Sequence, residues 1–80
     1  EEGKAEVLEL EVPPGSKLVG RTLKDAGFPR GCVVGAIARE DGEIVIPRGE
    51  DDIRASDNLV LFVLNEVIDK VLVLTGARPG

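Results

Sequence analysis

Asp41-Gly42 stands between two runs of strand-forming residues, Cys32 to Arg39 and Ile44 to Ile46, and a pair of this kind is the strongest short-range signal for a β-hairpin. A two-residue type I′ turn needs positive φ at both central positions, which aspartate and glycine tolerate, so the flanking runs are predicted to pair antiparallel. Chain length removes the main alternative. Parallel neighbours need crossovers of a dozen or more residues, and 80 residues leave no room for a doubly wound sheet.

Period and punctuation set out the remaining elements. Glu6 to Val12 alternates, with Leu8, Leu10 and Val12 on one face and Val7, Glu9 and Glu11 on the other, as a half-buried strand requires. Pro13-Pro14-Gly15 ends it, Ser16 to Thr22 makes a turn, and Thr22 with Asp25 resembles a capping arrangement for a short helix closed by Gly27. The apolar run from Cys32 to Arg39 predicts a strand covered on both faces or meeting a partner chain. Arg48 to Asp57 is a charged connection whose Ile53 is expected in the core, and Asn58 to Leu64 is apolar enough to be a central strand. Residues 66–74 suit a helix started by Asn65-Glu66, with Val67, Val71 and Leu74 or Ile68 and Leu72 toward the sheet. Val71-Leu72-Val73-Leu74 also suits a strand, so that choice stays open. The order β-α-β-β-β-α describes an α+β domain with helices packed on a mostly antiparallel sheet.

A chain this small buries only about 60–65% of the surface its unfolded form exposes. With 42% hydrophobic residues and a single cysteine, no disulfide supplements the core, so a homodimer is expected, with the Cys32–Arg39 run as its interface. The net charge of −5 and the scatter of basic residues argue against nucleic acid, and Phe28 and Phe62 alone make no stacking platform. Cys32 in its apolar setting reads as a small buried hydrophobe of a reducing compartment. No apolar stretch approaches the ~18–20 residues that span a bilayer, which excludes direct membrane insertion and suggests a cytoplasmic domain. The start at Glu1-Glu2-Gly3 without methionine and the end at Arg78-Pro79-Gly80 suggest a piece of a longer protein.

Gly15-Ser16-Lys17-Leu18-Val19-Gly20-Arg21-Thr22 matches the phosphate-cradling pattern G-x-x-x-x-G-K-[ST] except for Arg21 in place of lysine. The broad guanidinium fits a tight backbone cradle poorly, and no full helix follows. Gly15, Ser16, Gly20 and Thr22 are therefore read as a structural turn, and a phosphate-binding enzyme is the rival reading. Histidine is absent and Cys32 lies in an apolar strand, so nucleophilic catalysis has no paired base and no catalytic residue is assigned. Glu50-Asp51-Asp52, Glu40-Asp41 with Glu43, and Glu9 with Glu11 lack the spacing of a calcium loop and read as solvated faces. No metal ligand is assigned.

Four segments in order carry a resemblance: Val12 to Leu23, Val34 to Arg39, Asp41 to Pro47, and Ala55 to Phe62. Together they resemble the TrkA-C domain, the C-terminal subdomain of regulator-of-potassium-conductance (RCK) modules, over roughly residues 6–74 of a single 1–80 domain. In that family the G-S-x-L-x-G-[KR]-[ST]-L segment is structural, implying that Leu18 and Leu23 are core and Arg21 is at the surface. The family's glycine before the conserved-type aspartate turn is replaced here by Ser56, so serine must adopt that conformation or the backbone must avoid it. The resemblance implies a non-enzymatic regulatory domain of potassium or other cation transport, dimeric, acting on a membrane transporter or channel subunit through the parent protein. The same module in another transporter or in a transcription regulator is the alternative. No resident cofactor is implied, although some members bind cyclic di-AMP in the dimer cleft, and a divalent cation is the other ligand class. The matching positions are Arg30 for a phosphate, with Cys32, Val33 and Val34 as apolar walls; Phe28 to Val34 departs from the binders in having no asparagine.

Overall fold

A computed structural model of the chain describes residues 4–78. Glu1–Gly3 and Pro79-Gly80, on which the reading of a longer parent partly rests, lie outside those residues. Four strands, β1 (Ala5–Glu11), β2 (Cys32–Ala38), β3 (Ile44–Val45) and β4 (Asn58–Leu64), form one antiparallel sheet in the order β1-β4-β2-β3. β4 runs straight into a 3-10 turn, Asn65–Val67, and a helix, α1 (Ile68–Thr75).

β4 is central, as its apolar character predicts: Leu61 lies opposite Leu8 on β1 and Val34 on β2. Its side chains alternate, so Leu59, Leu61 and Val63 are buried while Phe62 and Leu64 face out. The inward residues join Val12, Leu18, Ile37, Ile53 and Val71 in one core, each such side chain contributing about 1.5–3 kcal/mol by leaving water. Ile53 is fully buried, as expected from an isolated isoleucine in a charged loop. Residues 68–75 are helix, which settles the choice left by their β-branched content. Val71 and Thr75 of α1 are buried, and the Thr75 hydroxyl donates to the Leu72 carbonyl at 3.2 Å.

Three local expectations are corrected. The short helix after Thr22 does not form, so the described residues carry one α-helix. Thr22 does accept the Asp25 N–H, at 3.3 Å. However, the Leu23 and Lys24 amides donate to the Asp51 and Gly49 carbonyls at 3.0 and 2.9 Å. A helix nucleus is costly and a four-residue stretch barely repays it, so lacing to the 49–53 strand-like segment wins. Thr22 and Asp52 form an isolated antiparallel bridge there. Asn65, expected as a side-chain cap, instead donates its N–H to the Lys4 carbonyl at 2.8 Å, and the positions capping the turn and α1 are Leu64 and Val67. Asn65 is itself the first residue of the 3-10 turn, one place past the position from which a side chain caps.

The hairpin is antiparallel as predicted but closes differently. Gly42 N–H donates to the Arg39 carbonyl at 3.0 Å and Arg39 N–H to the Glu43 carbonyl at 2.7 Å. Gly42 has φ of +96° and Asp41 does not share it, the geometry of a type I turn followed by a left-handed residue rather than type I′. Asp41 instead accepts the Glu43 N–H on its carboxylate at 2.9 Å.

Ser56 is the one non-glycine residue with positive φ among the described residues, at 69°. Its N–H donates to the Val12 carbonyl while Val12 N–H donates to the Asp57 carbonyl, both at 2.8 Å, which holds the strained backbone in place. The left-handed conformation costs a non-glycine residue roughly 1–2 kcal/mol, and added unfolded-chain freedom of a glycine offsets about 0.4–1 kcal/mol. Ser56→Gly is expected to stabilise the domain by about 0.5–1 kcal/mol, seen as a higher urea midpoint by circular dichroism. A lower midpoint would contradict the strain.

Candidate functional site: the open face of the sheet

α1 and the long connections cover one face of the sheet; the other is open and apolar. Val7, Phe62 and Val33 sit in one register row across β1, β4 and β2, and are 63%, 51% and 63% exposed. Leu64, Ile44 and Ile46 are also exposed. Exposed apolar side chains clustered together are costly in water, which makes this face the candidate interaction surface.

The row is shaped by two glycines of the outward series Gly31, Val33, Gly35. A Cβ on Gly35 would lie 2.5 Å from the Phe62 Cε2, and one on Gly31 would lie 3.1 Å from the Leu64 Cδ1. Phe62 and Leu64 therefore lie down against β2 on either side of Val33. The register of β2 on β4 shifts between Val34 and Ala36, a bulge at Gly35 beneath the Phe62 ring. A cavity of about 320 Å³ opens beside Val33, lined also by Ala5, Gly31, Phe62, Val63 and Leu64.

The ligand residues expected from the sequence divide between the two faces. Val33 belongs to this trough, and Arg30 is exposed one residue before Gly31. Cys32 and Val34 alternate inward and pack against the core, and burial pushes the Cys32 thiol above its usual range, which makes it a poor nucleophile at neutral pH. Phe62, Leu64 and Val7 were not expected at a site. Phe62 and Leu64 lie on β4, which is apolar at nearly every position, and a continuous apolar run does not reveal which face is covered, whereas the alternation of β1 places Val7 on its outer face. The signal that marks them is the Gly31/Gly35 spacing of four around Val33.

The turn motif is a folding device. The amides of Ser16, Val19, Gly20 and Arg21 donate to the carbonyls of Pro13, Ser16, Ile53 and Leu18 at 2.8–3.2 Å, and Leu18 N–H donates to the Ser16 Oγ at 3.1 Å. Amides spent in this way are not aimed at phosphate. Leu18 is fully buried and Arg21 exposed, as the resemblance implies. Gly20 has φ of +87°, whereas Gly15 has neither positive φ nor a neighbour within 4 Å of a Cβ.

A second polar feature escaped the sequence reading. At the hairpin end, Arg39 Nη1 donates to Asp57 Oδ2 at 2.6 Å and to the Asp52 carbonyl at 3.0 Å. Asp57 is 1% and Arg39 8% exposed, and Asp57 Oδ2 also accepts the Arg54 N–H at 2.8 Å. At the surface, Arg54 Nε donates to Asp52 Oδ2 at 3.1 Å. This hydrogen bond holds the Asp52 carboxyl below its ordinary range, so its small contribution is present above the unfolded pKa and lost as pH falls through the folded one. Among the described residues no three acidic, thiol or imidazole side chains gather as metal ligands would, and no helix is long and apolar enough to cross a membrane.

A family model described as the TrkA-C domain matches residues 7–76. The Trk system potassium uptake protein TrkA homolog 1 of Methanosarcina mazei is 36% identical over 77 residues, covering 96% of this chain and 19% of that protein. The chain thus spans about a fifth of that relative's length. Among solved structures, the GsuK channel bound to NAD superimposes with a TM-score of 0.74 at 26% identity, covering 96% of this chain and 14% of the channel chain. The RCK_C domain dimer of Streptococcus agalactiae BusR in complex with c-di-AMP has a TM-score of 0.74 at 22% identity, covering 90% and 97% of the two chains, a likeness of fold.

Proposed function

The chain belongs to the TrkA-C domain family, and from that premise we propose that it is a dimerising, ligand-responsive regulatory domain of a potassium or other cation transport system. The observation that carries the reading is the exposed row Val7, Phe62 and Val33. Two copies packed through that row would bury the open face and supply the area that an 80-residue chain lacks alone. A two-fold axis near Val33 would bring two apolar troughs and two Arg30 guanidiniums together. This suits a ligand with flat apolar ends and a doubly charged middle, and cyclic di-AMP has that chemistry, the bases against Val33 and Phe62 and the phosphates on Arg30. Cys32 and Val34 support the trough from behind. A signal of this kind on the cytoplasmic side would reach the membrane transporter by changing how two parent subunits are held. The net charge of −5 opposes direct contact with nucleic acid.

Sedimentation velocity and equilibrium dialysis test the reading together. The domain is expected to sediment as a dimer at micromolar concentration and to retain one cyclic di-AMP per pair of chains, as a ligand on a two-fold axis requires. A dimer that leaves the dinucleotide free would reduce the role to assembly, and a monomer at millimolar concentration would refute the proposal.

A further inference from the structure

On the helix side of the domain, away from the open sheet face, a groove of about 440 Å³ runs between α1 and the turn segment, with Lys17 and Lys70 at its edges. Its floor is apolar: Pro29, Val73 and Leu74, with Val73 38% exposed on a helix whose Val71 is fully buried. Neither lysine has an ion-pair partner among the described residues. The one carboxylate in the lining, Asp69, is held by Arg78 Nη1 at 2.7 Å. The groove therefore presents net positive charge around apolar surface, on a chain whose overall charge is −5.

We propose that this groove docks an acidic peptide segment of a partner polypeptide, its carboxylates on Lys17 and Lys70 and an apolar side chain against Val73 and Leu74. Charge complementarity selects the occupant. An anionic membrane or a nucleic acid presents a broad negative surface that the acidic remainder of the chain repels, whereas a short segment meets only the basic edge. A small anion is a poorer fit, because most of the lining, including Gly27 as well as both lysines, is open to solvent and would bury little of it. Acidic motifs held by clustered cations and apolar anchors laid in a groove are both recurring ways of binding a short peptide. Docking here would be independent of pairing through the open face, which lies on the other side of the sheet.

The test is an NMR titration of the 15N-labelled domain with the end-blocked peptide Asp-Glu-Leu-Leu-Asp-Glu. Amide shifts are expected at Gly27, Lys70, Val73 and Leu74, weakening as salt is raised. Lys17→Glu with Lys70→Glu should weaken binding by about tenfold or more while the melting temperature stays unchanged. Replacing both peptide leucines by serine should abolish the shifts at Val73 and Leu74. The proposal is overturned by an absence of shifts at millimolar peptide. It is equally overturned by shifts as large at Arg21, Lys24 and Arg48, by undiminished binding of the serine peptide, or by co-sedimentation with phosphatidylserine vesicles in place of peptide binding.

Discussion

Phe62→Lys is expected to convert the domain from dimer to monomer without unfolding it. Phe62 lies at the centre of the open-face row, half exposed in the single chain, so its replacement removes no core contact. In a dimer packed through that face the same position would be buried, and two ammonium groups would meet across the axis. Loss of an aromatic anchor together with burial of an unpaired charge costs about 3 kcal/mol or more, at least about a hundredfold in the dimer constant. Concentration-series sedimentation measures it directly. Thermal melts supply an independent readout: the melting temperature of the wild-type chain should rise with protein concentration, as mass action requires of a dimer, and that of the variant should not. A variant that remains dimeric would move the interface elsewhere on the molecule.

Asp57→Ala should be among the more damaging single changes in the domain. The Asp57 carboxylate compensates a guanidinium that is 8% exposed and whose Nε already lacks a partner, and it also receives the Arg54 amide. Removing it leaves the buried cation only the Asp52 carbonyl at 3.0 Å and the Asp52 carboxylate at 3.7 Å, at a cost of about 3 kcal/mol. Total stability for a domain of this size is on the order of 4–12 kcal/mol at about 0.05–0.15 kcal/mol per residue, so the variant is expected to lose a large share of it and to unfold at a markedly lower urea concentration. The chain has no tryptophan or tyrosine, which makes far-UV circular dichroism in urea the suitable measurement. Asp57→Asn keeps an acceptor for the Arg54 amide but not the charge. Combined with Arg39→Met it should recover most of the lost stability, because an apolar side chain of similar length needs no counter-ion. If Asp57→Ala alone cost less than about 1 kcal/mol, the pair would be behaving like a surface ion pair.

These two residues differ in how visible they are in the sequence. Phe62 was legible as part of a central strand, because six consecutive apolar residues permit little else, but not as an exposed residue. Asp57 was legible as the end of a charged connection and as the aspartate of the turn that carries the resemblance, but not as the partner of a buried arginine. Its partner Arg39 lies 18 positions earlier, and no local period links a strand end to a distant turn. The candidate ligand residues show the same limit: Arg30, Cys32, Val33 and Val34 are neighbours in the chain, yet strand alternation sends Cys32 and Val34 to the core and leaves Val33 in the trough.

The strand segments within a residue or two, the antiparallel hairpin at Asp41-Gly42, the centrality of β4 and the burial of Ile53 were all legible in the chain, since each follows from local period, turn chemistry or side-chain hydrophobicity. The type of that turn, the loss of the helix after Thr22 to hydrogen bonds with residues 49–53, the pairing of Arg39 with Asp57, and the open face emerge only once the chain is folded. Those outcomes depend on which distant backbone or charge competes for a group, and on the single side to which α1 and the loops pack, neither of which is written into a local stretch of chain.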